Sequence, residues 1–209
     1  MAAVSELLQR LISGDELRDR IAHLGGQIAS DYERAAEPPV LISVLKGSSM
    51  FLADLVRAIS VDLTVDFMSI SAYGDPERHS GVVRIVKDLE TDIVDRDVLI
   101  IEDIVDTGLT LTYLRRTLGA RGPRSLRTAT LLDKSARRIV PVDIEYVGFE
   151  IPDVFVIGYG LDFQGLFRNL PDIFAVNDLE ALAREPLVLS TQLFGGPGSQ
   201  RDGGVSLRP

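Results

Sequence analysis

Residues 98–111 join an apolar run to three carboxylates and a small-residue turn, Val-Leu-Ile-Ile-Glu-Asp-Ile-Val-Asp-Thr-Gly-Leu-Thr-Leu. The apolar run from Val98 to Ile101 predicts a strand buried on both faces, and the residues after Gly108 favour a helix that begins at the end of this strand. The first N–H groups of a helix have no partner within the helix and lie at the positive end of its dipole, so they bind anions. The turn at residues 107–110 therefore predicts a phosphate site.

Three acidic side chains, Glu102, Asp103 and Asp106, lie beside this predicted phosphate site. They are unsuitable as phosphate ligands because their negative charges would repel the anion. Carboxylates accept hydrogen bonds from hydroxyl groups, and Mg²⁺ takes carboxylate oxygens together with phosphate oxygens. A sugar phosphate bound with a divalent cation satisfies every part of the segment. The alternative is an ordinary strand and helix whose acids are surface charge.

The segment resembles the phosphoribosyl pyrophosphate (PRPP) motif of the type I phosphoribosyltransferases: a hydrophobic run, Glu-Asp, two apolar positions, Asp and then Thr-Gly-x-Thr. The resemblance implies that Glu102 and Asp103 meet the ribose hydroxyls of PRPP. It also implies a phosphate turn that holds the 5′-phosphate and consists of Thr107, Gly108, Leu109 and Thr110.

A second strand end, at Leu45, Lys46 and Gly47, predicts another anion cradle. Lys46 adds a positive charge, and Gly47 lets the backbone approach a ligand closely. The spacing is not that of a Walker A loop, and a plain structural turn is the alternative. The loop resembles the pyrophosphate-binding loop of the purine phosphoribosyltransferases, which implies PRPP binding and a peptide before the lysine that can be cis.

The polar stretch from Ser71 to Gly81 has the Gly and Pro content of a surface loop, for which a plain hairpin is the simplest interpretation. The family resemblance implies a lid instead, because Ser71, Tyr73 and Gly74 match its Ser-x-Tyr-Gly sequence. The usual second serine is Ala72 here. Closure of such a lid would keep water away from an activated ribosyl group.

Downstream residues look like the purine portion of the hypoxanthine-guanine phosphoribosyltransferases. Taken singly, Lys134 could be a solvated lysine and Phe155 a core aromatic. The resemblance implies that Lys134 donates to the 6-oxo group of the purine, that Phe155 stacks on the ring and that Val156 offers backbone contacts. It assigns Asp162 to the purine site and to Mg²⁺, and Arg168 to pyrophosphate. The implied metal ligands are Glu102, Asp103 and Asp162.

The activity that the resemblance implies is transfer of the phosphoribosyl group from PRPP to N9 of hypoxanthine, and of guanine, with Mg²⁺ as cofactor. In this reaction Asp106 is the candidate general base, accepting the proton from N7 of the purine. The family also suggests a homodimer or homotetramer. The sequence leaves the relative use of hypoxanthine, guanine and xanthine open.

The elements that must position these residues alternate between helix and strand. Apolar spacing predicts a helix after Ser13 and another from Ser49 to Ile59. The fold expected is α/β and Rossmann-like, that of the type I phosphoribosyltransferases, with a mainly parallel sheet flanked by helices, a small hood element and a flexible lid loop. We predict a single domain over residues 1–190. Residues 172–184 match nothing recognisable, and the Gly-rich tail, 191–209, is expected to be disordered. Predicted strands cover residues 40–45, 63–70, 83–87, 98–101, 127–132, 144–148 and 154–157.

Composition limits the rival functions. The chain has 209 residues, 45% of them hydrophobic, a formal net charge of −9, two histidines and no cysteine. We therefore expect a cytoplasmic enzyme with no membrane segment, no thiolate or histidine zinc site and no nucleic-acid partner. The rivals are a PRPP enzyme for another base, an RNA-binding attenuator of the same fold, which the net charge disfavours, and a binding module without catalysis.

Overall fold

The computed structural model describes residues 7–73 and 82–184, together with Pro186 and Leu193. Within these ranges, nine β-strands form two sheets, and four α-helices accompany them. The helices are α1 (Gly14–Tyr32), α2 (Ser49–Ala58), α3 (Leu109–Gly119) and α4 (Leu179–Arg184). The strands are β1 (Leu8–Ile12), β2 (Val40–Leu45), β3 (Thr64–Tyr73), β4 (Val82–Lys87), β5 (Asp97–Val105), β6 (Ser125–Asp133), β7 (Tyr146–Glu150), β8 (Phe155–Ile157) and β9 (Ile173–Val176).

The main sheet has six strands in the order β4-β3-β2-β5-β6-β7. Strands β3, β2, β5, β6 and β7 are parallel, and β4 is antiparallel at one edge. Because parallel strands end on the same side, the carboxyl ends of β2, β5 and β6 form one continuous sheet edge. The predicted α/β fold with a mainly parallel sheet is confirmed.

Two apolar cores cover the two faces of this sheet. One packs α1 and α2 against residues such as Leu41, Leu99 and Leu131, and the other packs α3 against Ile42, Ile100 and their neighbours. Strands β2 and β5 are buried on both faces, which explains their unbroken Val, Leu and Ile runs. The strand ends that carry the candidate site are therefore rigidly placed.

A second sheet, antiparallel and in the order β1-β9-β8, is predicted only in part: the sequence predicts a strand at residues 154–157, which matches β8, and assigns nothing to β1, β9 or α4. Its middle strand, β9, pairs with β1 over residues more than 150 positions away. Short strands whose pairing is this distant leave no local pattern to read. The segment after residue 171 thus supports strand β8, which carries Phe155 and Val156. That this small sheet acts as the expected hood stays a prediction.

Two predicted features fall largely on residues outside the described ranges. Ser71 and Tyr73 end strand β3, whereas Gly74 and the rest of the predicted lid loop are not described. The tail from residue 191 onward is also undescribed, apart from Leu193. Among the described helices, none is both long and apolar enough to cross a bilayer.

We predict opposite effects on stability for two adjacent glycines of α1. A Cβ atom at Gly25 would lie 2.6 Å from the Ala58 Cβ of α2, whereas one at Gly26 would meet nothing within 4 Å. Gly25→Ala should lower the free energy of unfolding by about 1–3 kcal/mol because the helices cannot separate freely. Gly26→Ala, the matched control, should raise it by about 0.5–1 kcal/mol through helix propensity. Urea unfolding measures both, and equal changes would contradict the tight α1–α2 contact.

Candidate active site

The candidate site residues converge at the carboxyl edge of the main sheet. Lys46 follows β2, Asp106 follows β5 and Lys134 follows β6. Register pairs Val105 of β5 with Asp133 of β6, so the residues that follow these two strands start from neighbouring positions. The sheet thus brings together segments that are 28 to 88 positions apart in the chain.

The predicted phosphate turn connects the end of β5 to the start of α3. Gly108 is the N-terminal cap of α3 with φ 84°, a left-handed conformation that favours glycine. A Cβ atom there would approach the Val140 carbonyl oxygen to 2.5 Å. Gly108 offers no side chain to cap the helix, and the Leu109 N–H makes only a long hydrogen bond, 3.4 Å, to the Thr107 hydroxyl. A cavity of about 200 Å³ lies here, lined by residues 102–108 together with Thr110 and Leu111. An open helix start beside a small cavity suits a phosphate group.

Of the two acids at the end of β5, Glu102 is buried and Asp103 is half-buried. Glu102 is 6% exposed, and its Oε1 atom has no hydrogen-bond partner among the described residues. Burial raises the pKa of the Glu102 carboxyl well above its ordinary value, and the neighbouring charge of Asp103 adds to this rise. Burial likewise raises the pKa of Asp103 to about 6, although the N–H of Ile104 and the Arg168 charge act in the opposite direction. A ligand that brings hydroxyl donors or a positive charge would stabilise the charged form of both carboxyl groups.

Gly47, in the predicted pyrophosphate loop, is packed directly against one of these acids. A Cβ atom at Gly47 would overlap the Oδ2 atom of Asp103, so only glycine fits. The peptide between Leu45 and Lys46 is cis, in agreement with the prediction that it can be. The loop is held by Ser49, whose hydroxyl donates to the Lys46 carbonyl oxygen over 2.8 Å. The Lys46 side chain itself is exposed.

Asp106, the candidate base, lies opposite an arginine that the sequence analysis did not single out. The Nε atom of Arg137 is 3.3 Å from Oδ1 of Asp106. This Oδ1 atom is buried and receives no hydrogen bond of good geometry from the described residues. The contact is therefore a charge interaction and leaves hydrogen-bonding capacity on the carboxylate.

Lys134 occupies a buried position at the end of β6. It is 6% exposed, and its backbone N–H donates to the Val105 carbonyl oxygen over 3.0 Å. Among the described carboxylates, none lies within ion-pair distance of its ammonium group. An ammonium group donates hydrogen bonds and accepts none, which fits a carbonyl oxygen supplied by a ligand.

The remaining predicted residues lie around β8 and the turn that follows it. The Phe155 ring is 38% exposed and meets Phe163 edge to face at 5.9 Å, and Val156 is buried beside Ala175 in the small sheet. Arg168 pairs with Asp162 over 2.6 Å and donates from Nη1 to the Gly160 carbonyl oxygen. The exposed Phe155 face leaves room for a planar ligand.

The turn after β8 is itself packed onto the pyrophosphate loop. A Cβ atom at Gly160 would overlap the Gly47 carbonyl oxygen, and the Tyr159 hydroxyl donates to Asp54 of α2. Burial raises the pKa of Tyr159, with the Asp54 bond as the second cause. The sequence analysis missed this attachment because Tyr159 and Asp54 are 105 positions apart and neither belongs to a motif.

The three implied metal ligands do not form a complete metal site by themselves. Among the described residues, no group of three or more His, Cys, Asp or Glu side chains is arranged to hold a metal ion. Asp162 forms an ion pair with Arg168, while the adjacent residues Glu102 and Asp103 offer carboxylate oxygen atoms. Because Mg²⁺ is commonly bound by one or two carboxylates with substrate phosphates, the residues fit a cation that arrives with its substrate.

Comparison with known proteins agrees with this geometry. Residues 13–164 match the model of the phosphoribosyl transferase domain, a span that includes every predicted site residue except Arg168. The hypoxanthine-guanine phosphoribosyltransferase of Mycobacterium avium is 51% identical over 164 residues, which are 77% of this chain and 81% of that protein. The hypoxanthine phosphoribosyltransferase of Escherichia coli K12 is 48% identical over 163 residues, 78% of this chain and 92% of the relative.

Solved structures give the same result. The hypoxanthine-guanine phosphoribosyltransferase of Bacillus anthracis superposes with a TM-score of 0.77 at 44% identity, over 81% of this chain and 99% of the other. A hypoxanthine phosphoribosyltransferase of Trypanosoma cruzi, studied for the role of its C-terminal region in oligomeric state and activity, gives 0.80 at 44% identity, over 85% and 95% of the two chains.

The raised pKa of Asp103 predicts a pH-dependent cost to stability. Between about pH 4 and pH 6 the folded protein binds more protons at this carboxyl than the unfolded chain does, so this contribution to the free energy of unfolding rises as pH falls. At pH 8 the charged form is disfavoured, and Asp103→Asn should stabilise the ligand-free protein by on the order of 2 kcal/mol. Thermal unfolding of both proteins at several pH values measures this difference.

The stabilisation by Asp103→Asn should shrink as the pH falls through 6. Asp19→Asn, at an exposed position of α1, is the matched control and should change little at any pH. A stability difference for Asp103→Asn that does not vary with pH would contradict the proposed burial cost.

Proposed function

Because this chain belongs to the phosphoribosyltransferase family, and within it to the hypoxanthine-guanine phosphoribosyltransferases, we propose that it transfers the 5-phosphoribosyl group of PRPP to N9 of hypoxanthine and guanine. The products are inosine and guanosine monophosphate, together with pyrophosphate. The chain thus acts in purine salvage.

The observation that carries this proposal is the combination of buried acids and an open phosphate turn at one sheet edge. Oε1 of Glu102 has no hydrogen-bond partner among the described residues, and a sugar hydroxyl could supply one. The start of α3 lies a few residues away, and Gly108 offers no side chain to cap it. A ribose 5-phosphate carries both hydroxyls and a phosphate. The Gly47 loop adjoins the same acids, which suits the pyrophosphate at the anomeric carbon.

We also propose that Mg²⁺ binds with PRPP through Glu102, Asp103 and Asp162. When bound, the cation neutralises charge on the pyrophosphate and so favours its departure. The raised pKa of Asp103 means that a proton must leave before this carboxyl binds a cation below about pH 6. Arg168, beside Asp162, supplies a fixed positive charge for the pyrophosphate.

The chain's own side chains divide the purine chemistry between them. Phe155 stacks on the ring, Val156 offers its backbone to the ring edge, and Lys134 donates to the 6-oxo group. Asp106 accepts the proton from N7, which increases the electron density at N9 as it attacks the anomeric carbon. Adenine is disfavoured because its 6-amino group would face the Lys134 ammonium, donor to donor.

Three further expectations stay part of this proposal. They are the closing lid formed by the loop that contains Ser71, Tyr73 and Gly74, the cytoplasmic location, and the assembly into a homodimer or homotetramer.

The proposed substrate is tested with a panel of bases, each incubated with PRPP and Mg²⁺. We expect nucleotide from hypoxanthine and guanine and roughly 100-fold lower efficiency with adenine, because a buried donor would face a donor. Lys134→Ala should reduce kcat/KM for hypoxanthine by about tenfold or more through loss of the 6-oxo contact. Arg116→Ala, on the exposed face of α3, is the control and should retain activity.

Nucleotide formed only from adenine, uracil or orotate would overturn the proposed acceptor. Unchanged hypoxanthine and guanine efficiency in Lys134→Ala would remove the 6-oxo contact. No nucleotide from any base would favour a binding module without catalysis, and salt-dependent RNA binding in its place would favour the attenuator.

The role of Asp106 as the base is tested separately by Asp106→Asn. The variant keeps the size of the side chain but cannot accept the N7 proton. General-base catalysis contributes about 10²–10⁴-fold, so kcat should fall by at least about tenfold while PRPP affinity changes little. Steady-state kinetics and PRPP titration measure the two quantities. Full activity in this variant would exclude the base role.

A further inference from the structure

We infer that Arg137 is a positioning residue for the general base, an inference that rests on the proposed function and deepens it. Its guanidinium group reaches two carboxylates from different segments. Nε lies 3.3 Å from Oδ1 of Asp106, and Nη1 lies 3.5 Å from Oδ1 of Asp153. Arg137 therefore links the turn after β5 to the connection between β7 and β8.

The backbone around Arg137 ties it to the lysine of the purine site. Residues 135–137 form a single 3-10 turn directly after Lys134, and the N–H of Arg137 donates to the Lys134 carbonyl oxygen over 3.0 Å. The same turn thus presents the proposed 6-oxo donor and the partner of the proposed base. A shift of either group moves the other.

The neighbouring arginine, Arg138, makes contacts that differ from those of Arg137. Arg138 pairs with Asp133 at the end of β6, and its side chain packs against Gly108 of the phosphate turn. These contacts anchor the turn on β6. Anchored in this way, the turn directs Arg137 towards Asp106 and Asp153.

The contacts of Arg137 favour one orientation of the Asp106 carboxylate. The guanidinium attracts Oδ1, which is buried and otherwise without a hydrogen bond among the described residues. Holding Oδ1 in place directs the second oxygen, Oδ2, towards the purine side, where it can accept the N7 proton. Because Asp153 lies two residues before Phe155, Arg137 also couples this orientation to the stacking residue.

Loss of this coupling should affect the purine and spare PRPP. Arg137 pairs with Asp106 and Asp153 and, among the described residues, forms no ion pair with those assigned to ribose or pyrophosphate. Removal of Arg137 leaves Asp106 free to rotate, so that fewer encounters with the purine place the carboxylate at N7. A purely structural arginine would instead lower stability, or change both substrates together.

The test is a kinetic comparison of wild type with Arg137→Gln, Arg137→Lys, Asp153→Asn and the double variant of Arg137→Gln with Asp153→Asn. Since partly exposed ion pairs are weak, we expect Arg137→Gln to reduce kcat/KM for hypoxanthine by about three- to fivefold, with KM for PRPP within about twofold. The lysine variant should recover most of this loss. Asp153→Asn should give a smaller loss of kcat/KM. The double variant should lose no more than Arg137→Gln alone, because both residues act through one interaction.

Arg116→Gln, an exposed arginine outside the site, is the matched control for charge. Its activity and that of wild type report on the proposed function alone. If both are active and Arg137→Gln equals them, or if it changes the two substrates equally, the inference is wrong and the proposed function stands. If wild type forms no nucleotide, both fail together.

Discussion

The site depends on the contact between the Asp103 carboxylate and the backbone of Gly47. It joins the end of β5 to the loop after β2, and a backbone contact joins the Gly47 carbonyl oxygen to Gly160 after β8. Three segments distant in the chain therefore meet at Gly47. Acidic groups are held close to backbone that a phosphate can approach, and larger residues at these glycines would separate the segments.

This arrangement concentrates negative charge where water is scarce. Glu102 and Asp103 are adjacent, and burial raises the pKa of both. The opposing positive charge of Arg168 is shared with Asp162, so compensation within the protein is incomplete. Burial of these carboxylates lowers the stability of the protein, and a ligand rich in hydroxyls, or a cation, would offset this cost. Ligand binding and proton release are coupled here, because ionised carboxylates are the forms that accept hydroxyl donors and cations.

The sequence predicted most of the main sheet and most of the placement of the site, for a physical reason. Buried parallel strands such as 98–101 read as continuous apolar runs, and their ligands follow at the carboxyl ends. The small sheet escaped prediction because β1 and β9 are short and pair across more than 150 positions. The sequence did not predict two further contacts, the ion pair of Arg137 with Asp153 and the hydrogen bond from Tyr159 to Asp54. The reason is related, since each contact depends on the path that a loop takes in the folded protein.

These unpredicted contacts differ in kind from the predicted ones. The residues read from motifs are the groups that would touch a ligand, whereas those supplied only by the fold hold such groups in relation to one another. Arg137 relates Asp106 to the strand of Phe155, and the attachment of Tyr159 to α2 keeps the turn after β8 on the Gly47 loop. A motif can therefore indicate which groups would bind a sugar phosphate. How these groups are aligned with a base depends on the 3-10 turn and the small sheet, because these place Lys134 and Phe155 relative to Asp106.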